Sequence, residues 1–391
     1  MPFRPSSRGL VPPFIAMDVL REALAREASG QRVVHLELGQ PGTPAPQAVL
    51  DAARAALAAD RIGYTDALGI ATLREAIAGH YRAQYGVAVD PAEIVVTTGS
   101  SAAFQLAFLA AFEAGDRVAL AAPGYPAYRN ILAALGLEPV LIEVGENAHY
   151  QPTPELLAEA GDLAGLIIAS PANPTGAMIA PAELARLYQW CDEFGIRLVS
   201  DEIYHGITYG IAAETARAFG RNAIVVNSFS KYYSMTGWRL GWMIAPPDLA
   251  RSIECLAQNF YISPPALSQL AALPVFQCRA ELDGHVARYR RNRDLLTATL
   301  SAAGLARIAP AEGAFYLYVE VAALTDDSAA FCRRMLEEIG VAATPGRDFD
   351  PLHGDRWLRF SYAGPSDDIA DAASRLSEWL PRAGQGPKAK A

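Results

Sequence analysis

Between residues 46 and 245 the chain alternates amphipathic helical stretches with short, unbroken apolar runs. Helical periodicity covers 46–59, 69–85, 101–113 and 182–195, and the runs are 93–97, 117–121, 166–170, 196–200, 223–227 and 239–245. Runs apolar along their whole length belong to strands covered on both faces, because a half-solvated strand alternates with polar residues. The intervening helices are the crossovers that parallel strands require. The pattern predicts a large doubly wound α/β domain with a mainly parallel sheet, over residues 46–280.

Beyond residue 280 the pattern changes. A long polar helix over about 284–303, stopped by Gly304, precedes the strand FYLYVEV, a helix at 328–339, the strand WLRFSYA and a helix at 366–380. These elements predict a smaller α+β domain over 281–382. Residues 1–45 read as an N-terminal arm belonging partly to that domain, and 383–391 as a disordered tail. The start, MPFRPSSRGLVPPF, holds no apolar stretch of signal-peptide length, and no run reaches membrane-spanning length, so a cytoplasmic protein is expected. A net charge of −9 argues against nucleic acid as a main partner, since a phosphate backbone calls for a basic face. Cysteines 191, 255, 278 and 332 are far apart and the six histidines show no ligand spacing, so no metal is expected.

Of 33 basic residues only three are lysine, at 231, 388 and 390, which leaves 30 arginines. The last two lie in the polar C-terminal GPKAKA. The body of the chain therefore carries one primary amine, Lys231, inside an apolar segment flanked by serines. Arginine replaces lysine as a surface charge, but only lysine can shed its proton and form a Schiff base with an aldehyde. Biased codon usage accounts for the missing surface lysines and not for the one retained.

Ligands of an open parallel sheet bind beyond the carboxyl ends of its strands. The apolar runs are followed by Gly99-Ser100-Ser101, by PGYP with Tyr125, by PANPTG with Asn173, by DEIY with Asp201 and Tyr204, and by SFSK with Ser228, Ser230 and Lys231. These five strand ends are predicted to converge on one site. Each motif also has a plain structural reading: GSS and Asp201 as helix caps, Asn173 as part of a turn, Tyr125 as core.

Taken together, SFSKYYSMTGWRLGW (228–242), SPANPTG (170–176) and SDEIY (200–204) resemble the class I/II aminotransferases of pyridoxal-phosphate fold type I. The resemblance runs from LELGQPG near residue 36 to RFSYA near 362. It implies a pyridoxal 5'-phosphate enzyme in which Lys231 bonds the cofactor and carries a proton between the substrate Cα and the cofactor C4′. Asp201 would pair with the pyridine nitrogen, Tyr204 and Asn173 with the phenolic oxygen, and Tyr125 would stack on the ring. Gly99, Ser100, Ser101, Ser228, Ser230 and Arg239 would hold the phosphate. Tyr64 would reach the phosphate of a neighbouring subunit, which implies a homodimer with shared sites. Arg359 would take the substrate carboxylate, joined by Asn173, with the loop at Gly39 closing over it.

The implied reaction is ping-pong transfer of an α-amino group from an L-amino acid to a 2-oxo acid. Phe14, Ile15 and Met17 are expected near the side-chain pocket, favouring a neutral or apolar donor. An aspartate aminotransferase needs a second cation, and the branch with a lysine after its glycine pair has Ser101 or Ala102 here instead. A C–S β-lyase would use the same Lys231, Asp201 and Arg359, so that reading stays open. A cofactor-sensing regulator would need a DNA-binding domain, for which no room is expected ahead of residue 36.

Overall fold

A computed structural model describes residues 3–60 and 62–383. In chain order its strands are β1 (Val34–His35), β2 (Ile94–Thr97), β3 (Arg117–Ala122), β4 (Glu138–Glu143), β5 (Gly165–Ala169) and β6 (Arg197–Asp201). Then come β7 (Ile224–Ser228), β8 (Gly241–Ile244), β9 (Tyr316–Glu320), β10 (Val341–Ala342), β11 (Thr344–Pro345) and β12 (Trp357–Ser361). Seven of them form one sheet in the order β2-β8-β7-β6-β5-β3-β4, in which only β8 runs antiparallel to its neighbours.

The continuous apolar runs are explained by burial on both faces. Ile94, Val96, Leu166, Ile168, Leu198 and Val225 pack in one core with the helices Ala71–Tyr85 and Pro181–Glu193. Their alternating neighbours Val95, Ile167, Val199, Ile224 and Val226 pack in another with the helices Gly99–Ala111 and Ala250–Phe260. One strand escaped the sequence reading. EPVLIE forms β4 at the sheet edge, where it is charged at both ends and largely accessible, so it lacks the signature of a covered strand.

The remaining strands build a second core. The antiparallel sheet β11-β12-β9 is backed by helices Ser328–Ile339 and Ser366–Ala383, and β1 from the N-terminal part pairs in parallel with β10. Val34 and Leu36 are buried in this core. The long helix runs Arg279–Ala302, five residues earlier than its expected start. Gly284, at the expected start, sits inside the helix with open space around it, a position that costs only about 1 kcal/mol. Gly304 follows the helix end at φ +91°, the conformation that stops a helix. Of the tail expected from residue 383, Ala383 ends the last helix and is buried, while 384–391, with Lys388 and Lys390, lie outside the described residues. No helix among the described residues is long and apolar enough to cross a membrane.

Candidate active site

A cavity of about 230 Å³ opens at the carboxyl ends of the parallel strands, with the second core as its opposite wall. The strand ends bring Ser100, Ser101, Tyr125, Asn173, Asp201 and Tyr204 to its lining, and the loop after β7 brings Ser230 and Lys231. Arg239 enters at the same edge because β8 is antiparallel and begins there. Gly39 and Arg359 come from the other side, residues 36–39 and β12.

Lys231 faces the cavity and donates to the carbonyl of Gly39 at 2.7 Å. Burial pulls its amine down to about 8, helped by the positive charges of Arg359 and Arg239. Asp201 is buried beneath it, and that burial pushes its carboxyl up to about 6. Hydrogen bonds resist the push: Tyr128 donates its hydroxyl to Oδ2, and the Ile203 N–H donates to Oδ1 at 3.0 Å. Tyr204 shares a 2.7 Å hydrogen bond with the hydroxyl of Tyr316.

At one end of the cavity, Gly99 opens the helix Gly99–Ala111, whose N-terminus has no side-chain cap. Gly99 sits at φ +74°, and a Cβ there would come within 2.4 Å of Arg239 Nη2. The guanidinium therefore lies against the uncapped amides, and no acidic partner among the described residues neutralises it. Uncapped amides, a helix dipole and a free guanidinium suit a dianionic phosphate. Ser230 lines this region, whereas Ser228 lies one layer behind, with its Oγ 2.9 Å from the Ser230 Oγ and 3.2 Å from the Leu240 carbonyl.

At the other end stands Arg359, 2% exposed. Its neighbours Leu358 and Phe360 point into the second core, so strand alternation turns Arg359 toward the cavity. Its guanidinium lies between the rings of Tyr316 and Phe349, at 4.4 and 4.5 Å. It donates to Asn173 Oδ1 at 3.0 Å, to Thr344 Oγ1 at 3.2 Å and to the Glu37 carbonyl. Its Nε is buried without a partner, and no Asp or Glu among the described residues pairs with it. A buried charge in that state is costly unless an anion completes the site.

Two expected features lie elsewhere. Tyr64 does not line the cavity of its own chain and is 82% exposed. Of the three apolar residues expected near the side-chain pocket, Phe14 lines it, edge-on to Tyr125 at 5.9 Å, while Met17 is exposed and Ile15 lines a different hollow. The residues fall at the start of helix Ile15–Ala28, and one turn of helix presents only one face; Ala16 takes the inward place. Tyr128, Tyr316, Phe104 and Ile131 also line the cavity and were missed. Tyr128 was legible in principle, since it follows Tyr125 by three residues at a helix start and so shares its face. Tyr316 comes from a sheet whose approach no local pattern announces.

Residues 31–376 match the family model for aminotransferase class I and II. The chain belongs to this family. The valine–pyruvate aminotransferase of Mycobacterium tuberculosis is 51% identical over 383 residues, covering 97% of this chain and 99% of that protein. A crystal structure of an aminotransferase from Mycobacterium tuberculosis superposes with a TM-score of 0.95 at 51% identity, covering 97% of this chain and all of that one. The aspartate aminotransferase of Thermus thermophilus with maleate gives 0.91 at 31% identity, covering 96% of this chain and 100% of that chain. The aminotransferase thus has the fold of pyridoxal-phosphate enzymes and depends on that cofactor. The donors present fit it: uncapped amides and a guanidinium at Gly99 and Arg239 that would take its phosphate, an amine at Lys231 for its aldehyde, and a buried carboxylate at Asp201 for its ring nitrogen.

Proposed function

We propose that this aminotransferase takes its amino group from a small apolar L-amino acid, valine foremost, and gives it to pyruvate or a similar 2-oxo acid. The observation that carries the reading is Arg359, a buried guanidinium without a counter-ion that shares a cavity with Lys231. One substrate carboxylate satisfies it. The walls beside it include Phe14, Phe104, Ala127 and Ile131. Lys231, Arg239 and Arg359 are the cations among the lining residues, so a second substrate carboxylate has no guanidinium of its own. The name of the 51% identical relative supports the same donor and acceptor.

When bound, pyridoxal phosphate supplies an aldehyde for the amine and a ring that draws electrons from the substrate Cα. In this reading Arg239, the amides of Gly99, Ser100 and Ser101, and the Ser230 hydroxyl hold the phosphate, with Ser228 fixing Ser230 from behind. Asp201 would keep the pyridine nitrogen protonated, and Tyr128, which donates to Asp201, would preserve its charge. Tyr204 and Asn173 would donate to the phenolic oxygen, with Tyr204 oriented by Tyr316, and Tyr125 would cover the ring. Arg359 anchors the carboxylate, Asn173 steadies the guanidinium, and the Gly39 loop excludes water. Lys231, whose amine burial brings down from the ordinary lysine range to about 8, would serve as the base that takes the proton from the substrate Cα and as the acid that returns it on the cofactor side. Each half-reaction uses the same set, first with the amino acid and then with the 2-oxo acid.

The proposal includes a homodimer with shared sites. Tyr64 is exposed beside Ile62, and the neighbouring segment, joined through the hydrogen bond from the Thr65 amide to Ser263 Oγ, exposes Phe260 and Ile262. An apolar patch of this kind marks an interface. The division into residues 1–45, 46–280 and 281–382 is retained, supported by separate apolar clusters around the two sheets. A cytoplasmic location is retained as well, supported by four free thiols.

Steady-state rates over a panel of donors with pyruvate test the substrate reading. Valine and its apolar neighbours are expected to give the highest kcat/KM and to bleach the visible cofactor band, which pyruvate restores. A clear preference for aspartate would overturn it.

A further inference from the structure

The cavity that holds Lys231 is smaller than one that lies beside it. A second cavity, of about 880 Å³, lies behind the lysine loop, between helix Ala71–Tyr85, residues 205–213 and the first turns of helix Arg279–Ala302. This volume is in the range of small-molecule sites. Its inner wall is aromatic and uncharged. Tyr85, Tyr232 and Tyr233 line it together with Phe276, which stacks on His80 at 5.1 Å. His205, on the same wall, meets the Tyr85 hydroxyl through Nδ1 at 2.7 Å.

Charge gathers at the rim instead, where Arg279, Arg290 and Arg291 face Asp283 as the one carboxylate. Asp283 is already engaged, accepting from the Tyr232 hydroxyl at 2.6 Å and pairing with Arg279 at 3.4 Å. Arg290 leans over the ring of Tyr209 at 5.9 Å, and neither it nor Arg291 has a carboxylate partner among the described residues. The mouth therefore carries surplus positive charge above an apolar, aromatic floor.

We propose that this cavity is a second, non-catalytic binding site for a small carboxylate with an aromatic or branched apolar body. The body lies among the tyrosines and Phe276, and the anion meets Arg290 and Arg291. Tyr232 and Tyr233 directly follow Lys231, so an occupant touches the lysine loop from outside the catalytic cavity.

The test uses the holoenzyme and two fluorescent probes of similar shape, anionic 8-anilinonaphthalene-1-sulfonate and neutral N-phenyl-1-naphthylamine. The sulfonate is expected to saturate one site per chain and to bind about tenfold more tightly than the neutral probe. Gly79 lines the cavity, and a Cβ added there meets nothing within 4 Å, so Gly79→Phe fills the space without disturbing the helix. That variant should lose saturable binding while keeping kcat/KM; Ala83→Trp, one turn on, serves in its place if it does not fold. Joint Arg290→Ser and Arg291→Ser replacement should weaken the sulfonate about tenfold and leave the neutral probe unchanged. Phenylpyruvate should displace the sulfonate from the wild type. Unaltered binding in the filled variant overturns the site, and unaltered sulfonate binding in the arginine variant overturns the ligand class.

Discussion

Lys231 owes its chemistry to its surroundings, because burial and two nearby guanidiniums all disfavour its ammonium form. In the cofactor-free protein, the rate of its reaction with trinitrobenzenesulfonate should therefore titrate with a midpoint about 8. A midpoint near the ordinary lysine value, about 10.4, would mean that the amine is not activated by its site. Tyr128 acts on the opposite charge. Its hydroxyl donates to Asp201, a bond that favours the carboxylate and lowers a pKa that burial has raised. Without it, Asp201 should lose its charge at a higher pH. Tyr128→Phe is thus expected to move the acid limb of the kcat/KM profile upward and to cost about tenfold below neutrality, the loss of one charge-assisted bond. A profile that keeps its acid limb would reduce Tyr128 to a packing role.

Among the elements, the helix Gly99–Ala111 shows how backbone geometry makes a binding site. Its first residue must be left-handed and must have no side chain, since Arg239 occupies the space a Cβ would take. Gly99→Ala should lower stability by about 1–2 kcal/mol from the left-handed conformation alone, measured by denaturant unfolding. It should also displace Arg239 and weaken cofactor binding by more than that loss of stability conveys, which equilibrium dialysis would read. Equal cofactor affinity in the variant would show that the anion does not sit at this helix end. Strand β12 makes the complementary contribution. Its pairing with β9 sets Arg359 against the ring of Tyr316, and Phe349, from the segment after β11, covers the other face of the guanidinium.

For the whole molecule, the exposed Tyr64 and the apolar residues near it carry the proposed dimer. If Tyr64 serves the partner's site, two damaged chains can repair each other. Lys231→Ala alone should be inactive, and Tyr64→Ala alone should bind cofactor weakly. A dimer mixed from the two would contain one site with an intact lysine and an intact tyrosine from the other chain. It should recover tight cofactor binding at that site, as read by absorbance during reconstitution. Recovery no greater than the sum of the two parents would place Tyr64 in its own chain's site or outside the site altogether.

Much of this was written locally. Strands buried on both faces must be apolar throughout, so the sheet could be read from its runs, and the residues after those runs were the ones that met at its edge. A solitary lysine between serines marked the reactive amine because no other residue type performs that chemistry. Burial, long-range pairing and shape were not local. The sequence holds thirty arginines, and only the second sheet, folded back against the first, leaves Arg359 buried without a counter-ion. The tyrosines at 128 and 316, the inward place of Ala16 in preference to Met17, and the large cavity behind the lysine loop likewise arise from segments far apart in the chain. Periodicity records which face of an element is covered; what covers it is decided by packing between elements, and there the site acquired its charges and its walls.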